Sequence, residues 1–169
     1  MRTLAVLAMT ASVAGLSGCV SHPLTAQEFR AAVPGSFSGA VEEFEVNRSV
    51  EEIGETFERK GPECLAVTIE TTSSTNMSYQ HYTTTYKPSV VRDAEKAELH
   101  LQQHHSNTIN VSKEPDGGYF LLVVDAERLD KKRSRITLYK PRLGFDVLVR
   151  SVKGWATGES MGCPDMTKI

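Results

Sequence analysis

The chain has 169 residues, of which 40% are hydrophobic and 24% are charged, and its formal net charge is −2. This length suffices for one domain with a substantial core, and the composition is that of an ordinary globular protein. The near-neutral charge provides no general electrostatic attraction to nucleic acid, so we expect no nucleic-acid partner.

The first 19 residues have the organisation of an export signal. Arg2 supplies a positive start, an uncharged apolar run extends from Leu4 to Val13, and small residues precede Cys19. A run this short is typical of a secretory signal, because a membrane-spanning helix needs about 20 apolar residues. The tetrapeptide Leu16-Ser17-Gly18-Cys19 resembles the lipobox of bacterial lipoproteins at all four positions. The alternative is an ordinary secretory signal with a chance cysteine.

The lipobox resemblance implies cleavage before Cys19 and lipidation of that cysteine. Its sulfur would carry diacylglycerol, and its new amino group an acyl chain such as palmitate. Val20 follows instead of aspartate, which by resemblance to enteric sorting favours the outer membrane, facing the periplasm. The loss of residues 1–18 takes away Arg2 and no acidic residue, so the net charge falls by one to −3.

Two capping boxes predict two helices in the first third of the mature chain. Thr25 and Glu28 begin a short helix near residues 26–32, which Pro34 and Gly35 stop. A half-buried strand is predicted at residues 40–47. Ser49 and Glu52 then begin a longer amphipathic helix, which we expect to end at Gly61-Pro62, with Cys64 just past its end.

From Leu65 the hydrophobic period changes to two, which is typical of strands. We predict strands at residues 65–72, 79–86, 97–102 and 108–111, with a polar turn at 71–77; residues 97–102 could also be read as helix. Pro115-Asp116-Gly117-Gly118 is a strong turn signal before a central strand at 119–126, which pairs with a strand at 134–140.

The last element is ambiguous, because residues 143–157 fit both periods. Phe145, Leu148, Val149 and Val152 share one helical face, whereas Phe145, Val147 and Val149 also alternate as in a strand. We favour a helix, since Gly158 is a plausible stop.

The predicted fold class is α+β. We expect an antiparallel sheet of about five to six strands, with an N-terminal helix and a C-terminal helix packed on one face, by analogy with helix-grip folds. Residues 1–18 form the signal peptide, residues 19–34 the lipidated anchor with a short tether and helix, and residues 35–169 a single periplasmic domain.

With Cys19 assigned to lipid, Cys64 and Cys163 remain. An exported protein enters an oxidising compartment, so we predict a disulfide between them rather than a redox or metal-binding thiol pair.

Two groups are candidate contact surfaces. Tyr79, Tyr82 and Tyr86 lie among threonines on one predicted strand, and Lys131-Lys132-Arg133 is the centre of a basic run. The tyrosines could instead stabilise the sheet through cross-strand pairs. The basic run could be a solvated hairpin; the alternative is a contact with a membrane surface or a partner.

Catalytic and metal signatures are weak. His100 and His104 are candidate metal ligands, but no dense ligand pattern surrounds them, and we predict no metal and no cofactor. Gly158-Glu159-Ser160-Met161-Gly162 matches the string of serine hydrolases, yet no histidine follows it. We therefore expect a non-enzymatic envelope lipoprotein that contacts the membrane through Cys19 and an envelope protein through its domain. The alternatives are a binding module for an apolar small molecule or lipid in a sheet–helix cavity, and, third, a metalloprotein.

Overall fold

The computed structural model describes residues 22–75, 78–107, 114–115 and 117–169, with the backbone alone at 73–75, 78–80 and 107. The described residues form three α-helices, six strands and two short 3₁₀ turns. The elements in chain order are α1 (Ala26–Ala32), a turn (Val33–Gly35), β1 (Gly39–Val46), α2 (Val50–Leu65), β2 (Thr68–Thr75), β3 (Ser78–Arg92), β4 (Lys96–Asn107), β5 (Tyr119–Arg128), β6 (Ser134–Pro141), α3 (Asp146–Thr157) and a turn (Met166–Lys168).

The strands form one antiparallel sheet in the order β1-β6-β5-β4-β3-β2, which confirms the predicted α+β class. The first strand, β1, pairs with the last strand, β6, and not with β2. The pairing extends from Gly39 opposite Pro141 to Val46 opposite Ser134. The predicted pairing of β5 with β6 is present, and the segment around residues 97–102 is a strand rather than a helix.

One face of the sheet carries the main core. Alternate residues of the central strands, such as Leu99 and Leu138, are fully buried against Ile53 and Phe57 of α2 and Trp155 of α3. The alternation follows from the pleat, because successive side chains of a strand point to opposite faces.

The opposite face is partly covered by α1. Phe29 of α1 and the following Val33 are buried against Val123, with Phe120 and Tyr139 packed around them. Thr25 caps α1 as predicted, since its side-chain oxygen accepts the backbone N–H of Glu28.

The second helix begins as predicted but ends later. Ser49 and Glu52 form the complete capping box. The expected stop at Gly61-Pro62 is wrong, because α2 continues through both residues to Leu65. Proline inside a helix costs about 3 kcal/mol. The burial of Cys64 and Leu65 opposes that cost, and so does the close packing of Gly61, where an added Cβ would lie 3.3 Å from Leu99.

Two other predicted boundaries have definite outcomes. The polar turn predicted at 71–77 is wrong for residues 71–75, because β2 pairs with β3 through Thr75 opposite Ser78. The helical interpretation of 143–157 is correct, and Gly158 ends α3 in the left-handed conformation at φ 85°. The predicted strand at 108–111 lies outside the described residues.

Cys64 and Cys163 form a disulfide, with their Cα atoms 4.9 Å apart. Cys64 lies in the last turn of α2, not past its end as expected, and Cys163 follows α3. The bond therefore ties the C-terminal segment to α2 across 99 residues of sequence.

Candidate functional site

The fifth strand runs between two ends of the domain that carry different chemistry. Its first residue, Tyr119, contacts the ring of His22 edge-on at a centroid distance of 4.8 Å. We call the end of the domain at Tyr119 and His22 the entry end. The paired residues Gly39 and Pro141 lie at the same end. The other end of the strand leads into the connection Leu129–Arg133, which we call the hairpin end. Ten residues of strand separate the two ends, which corresponds to roughly 30 Å.

The hairpin end is a rigid, basic surface. The Asp130 carboxylate accepts the backbone N–H groups of Lys132 and Arg133 at 2.8 and 2.9 Å, which lowers the pKa of Asp130. The Arg133 guanidinium pairs with Asp130 and, at 3.8 Å, with Glu45. Lys131 and Lys132 are exposed and form no ion pair with the residues that the structure describes. The hairpin thus presents two uncompensated ammonium groups on a fixed backbone.

The three tyrosines do not form one exposed surface. Tyr86 is buried in the core against α2 and the sheet, and burial raises its pKa. Tyr82 is partly exposed. The backbone of Tyr79 pairs with Ser74, and its side chain lies outside the described part of the structure. Tyr86 is therefore a structural residue, and Tyr82 is the one described tyrosine of the group at the surface.

The histidines bind separate partners. The His100 imidazole lies 2.7 Å from a Glu98 oxygen, and His104 contacts Glu114. Among the described residues, the three potential metal ligands that do converge are Glu63, Cys64 and Cys163, and both of those sulfur atoms are already in the disulfide. The weak metal candidates His100 and His104 are thus not brought to a common site with a third described ligand.

A charged cluster fixes α1 to the sheet. The Arg30 guanidinium donates to both carboxylate oxygens of Asp125, at 2.7 and 2.6 Å, and also contacts Glu98. The Lys96 ammonium lies 3.1 Å from Glu98 and 3.5 Å from Asp125. Although burial opposes ionisation, hydrogen bonds from Arg30, His100 and Lys96 hold the pKa of Glu98 at about 2.

Sequence reasoning missed this cluster, since its members lie 68 and 95 residues apart along the chain. The one local signal is the presence of Asp125 inside the apolar run of β5. A carboxylate at a buried strand position needs a partner, but the sequence does not say which.

An open cleft lies at the entry end, between α1 and the sheet. Its volume is about 430 Å³, and its wall combines apolar side chains with a few polar ones. Phe29, Val33, Tyr119 and Phe120 line its apolar part, and His22 and Lys140 lie at its margin. No sequence motif marks the cleft, because its wall is assembled from α1, the following turn and three strands.

Comparison with protein-family models, with curated proteins and with solved structures finds no match to this chain. None of the helices among the described residues is long and apolar enough to cross a membrane. The Gly158–Gly162 string follows α3 rather than a strand, and no helix begins between residues 159 and 165. The strand–turn–helix context of a hydrolase nucleophile is therefore missing at this position.

Proposed function

We propose that this protein is a lipoprotein of the bacterial cell envelope whose domain has an interaction role in the periplasm. Cys19 carries the lipid anchor, after removal of residues 1–18. Val20 favours the outer membrane as the site of anchoring. The four-residue lipobox match supports the anchor, although Cys19 itself lies outside the described residues.

The separation of the basic hairpin from the entry end is the observation that carries the interaction role. The entry end begins at His22, and three residue steps from Cys19 can span at most about 11 Å. A domain so close to its anchor holds the entry end near the bilayer. The hairpin end then lies on the far side, where Lys131 and Lys132 cannot reach the lipid headgroups. We therefore assign these lysines to an envelope protein with an acidic surface, not to the membrane.

The ionisable groups support a non-enzymatic role. Glu42, Glu98 and Asp165 all have lowered pKa values, because hydrogen bonds from lysine, arginine, histidine, hydroxyl or backbone groups stabilise their charged forms. A general acid or base needs the opposite adjustment, toward neutral pH. The described carboxylates with shifted pKa values are thus kept ionised by their hydrogen-bond partners, as in structural ion pairs and caps.

A binding module is the second candidate function, and the cleft at the entry end favours it. The predicted place for an apolar ligand, between the sheet and the C-terminal helix, is filled by side chains such as Leu138, Val152 and Trp155. The cleft beside α1 is the alternative place. The helix-grip analogy remains a proposal about architecture, and it transfers no function.

In-cell photo-crosslinking tests the interaction role. A photoreactive residue at Lys131 should give a discrete crosslinked partner, and one at Arg59, an exposed basic residue of α2, should not. Equal, diffuse crosslinking from both positions would refute a specific partner at the hairpin end.

For the anchor, Cys19→Ser should release the protein from membranes washed with carbonate, and retention would refute lipidation at Cys19. A co-purified lipid or small molecule without a protein partner would favour the binding module.

A further inference from the structure

The large hydrophobic side chains that are most exposed lie together at the entry end. Among the described residues, Phe37 is 95% exposed, Leu143 83% and Leu24 60%, more than any other large hydrophobic side chain. Single exposed apolar residues need no explanation, but a group of them on one end marks an interaction surface.

Hydrogen bonds join the loop that carries Phe37 to the loop that carries Leu143. The backbone N–H of Arg142 donates to the Ser38 carbonyl at 2.7 Å, which joins the loop before β1 to the loop after β6. The Arg142 guanidinium also lies 6.0 Å from the centre of the Phe37 ring and donates to the Gly39 carbonyl. The two side chains thus project from a cross-braced base that carries a positive charge.

The loop after β6 is shaped to expose Leu143. Gly144 and Phe145 both have left-handed backbones, with φ values of 75° and 63°. A bulky residue in this region is strained, and the surrounding structure must offset the strain. The Phe145 ring packs against the main core. The chain therefore reverses between an outward Leu143 and an inward Phe145.

The position of His22, the first described residue, indicates what covers this surface. His22 and Pro23 line the same cleft as Ser36 and Ser38, the neighbours of Phe37. Only residues 20 and 21 separate His22 from Cys19, so a lipid on Cys19 can be at most about 11 Å of extended chain from His22. Aromatic and aliphatic side chains flanked by a basic residue are the composition of surfaces that lie in a membrane interface.

We propose that the entry end docks on the bilayer surface, with Phe37 and Leu143 inserted among the lipid headgroups and Arg142 at the level of the phosphates. This proposal rests on the proposed anchor at Cys19. The lipid chains supply the membrane attachment, and the two loops fix the orientation of the domain. The hairpin end is consequently held away from the membrane in a defined direction.

Site-specific fluorescence tests the docking on the lipidated protein in vesicles of phosphatidylethanolamine and phosphatidylglycerol. With Cys19 acylated and the other two cysteines in the disulfide, Phe37→Cys and Leu143→Cys each provide a single free thiol for an environment-sensitive dye. Lys131→Cys, at the hairpin end, is the matched control. Unchanged fluorescence of the buried Trp155 shows that each variant is folded.

We expect the dye at 37 and 143 to shift to the blue and to lose about half its emission to nitroxides near the top of the acyl chains, because interfacial groups lie roughly 5–10 Å deep. The dye at 131 should show neither effect.

Vesicle flotation separates the docking proposal from the anchor proposal. Protein that floats with unquenched dye at 37 and 143 overturns the docking but not the anchor, whereas protein that does not float overturns both. A blue shift without quenching would place the loops against another protein and would also overturn the docking.

Discussion

Glu98 should make the domain sensitive to acid. Its carboxylate accepts hydrogen bonds from Arg30 and His100 and pairs with Lys96, and its side chain is only 17% exposed. These partners lower its pKa from 4.5 to about 2. The charged form is thus favoured in the folded state relative to the unfolded chain.

The lowered pKa of Glu98 corresponds to about 3 kcal/mol of unfolding free energy at neutral pH, since one pKa unit is worth about 1.4 kcal/mol. Because the folded-state pKa is the lower one, this contribution is complete above pH 4.5 and disappears as the pH falls toward 2. At pH 3, about 2 kcal/mol of it should already be lost.

The assay is urea unfolding at pH 7 and pH 3, followed by the fluorescence of Trp155, the single tryptophan of the chain. Glu98→Gln removes the titrating group, so the difference in unfolding free energy between the wild type and this variant should shrink by about 2 kcal/mol between the two pH values. Glu127→Gln is the matched control, because Glu127 is exposed and lies 3.8 Å from Lys96. A Glu98→Gln difference that is the same at both pH values would refute the assignment of the cluster as an acid-sensitive clamp.

Three further changes test how the elements are held together. Cys64→Ala should cost up to roughly 5 kcal/mol of unfolding free energy, the upper value for a loop of 99 residues, and addition of a reductant to the wild type should cost the same; equal urea midpoints with and without reductant would contradict this. Ser49→Ala removes the cap of α2 and should cost about 1 kcal/mol, whereas Ser49→Asp should retain most of that stability; a similar loss in both variants would exclude capping as the cause. Arg48→Met removes the guanidinium that donates to the Trp155 carbonyl at 2.7 Å, and it should cost about 1–3 kcal/mol of unfolding free energy. An unchanged urea midpoint would show that water replaces the arginine as donor.

Several features of the fold are encoded within a few residues of sequence. Ser49 and Glu52 are three residues apart, and their reciprocal hydrogen bonds form before any distant contact is needed. The apolar run of β5 and the β-forming segment of β6, with a short polar connection between them, similarly predict a hairpin. The cysteine count together with the export signal indicated the pair Cys64 and Cys163, because only two cysteines remain once Cys19 is assigned.

Tyr86 shows where local pattern fails at the candidate surfaces. It lies in the same Thr-rich strand as Tyr82, and composition alone treats the two alike. In the structure Tyr86 is level with α2 and is buried, whereas Tyr82 lies farther along β3, beyond the last residue of β4 that pairs with β5. Burial is thus decided by how far the helix reaches along the sheet, which no single strand reveals.

By itself, then, the sequence determined the helix caps, the α+β class and the chemistry of the basic hairpin, since each depends on interactions or periodicities within a few residues. The export signal is a prediction of the same local kind. Only the tertiary structure decided the continuation of α2 through Pro62, the pairing of Arg30 with Asp125 and the separation of the hairpin end from the entry end. These features depend on which distant segments the antiparallel sheet brings together. Burial of Leu65 and compensation of the Asp125 charge become favourable only after the strands have paired.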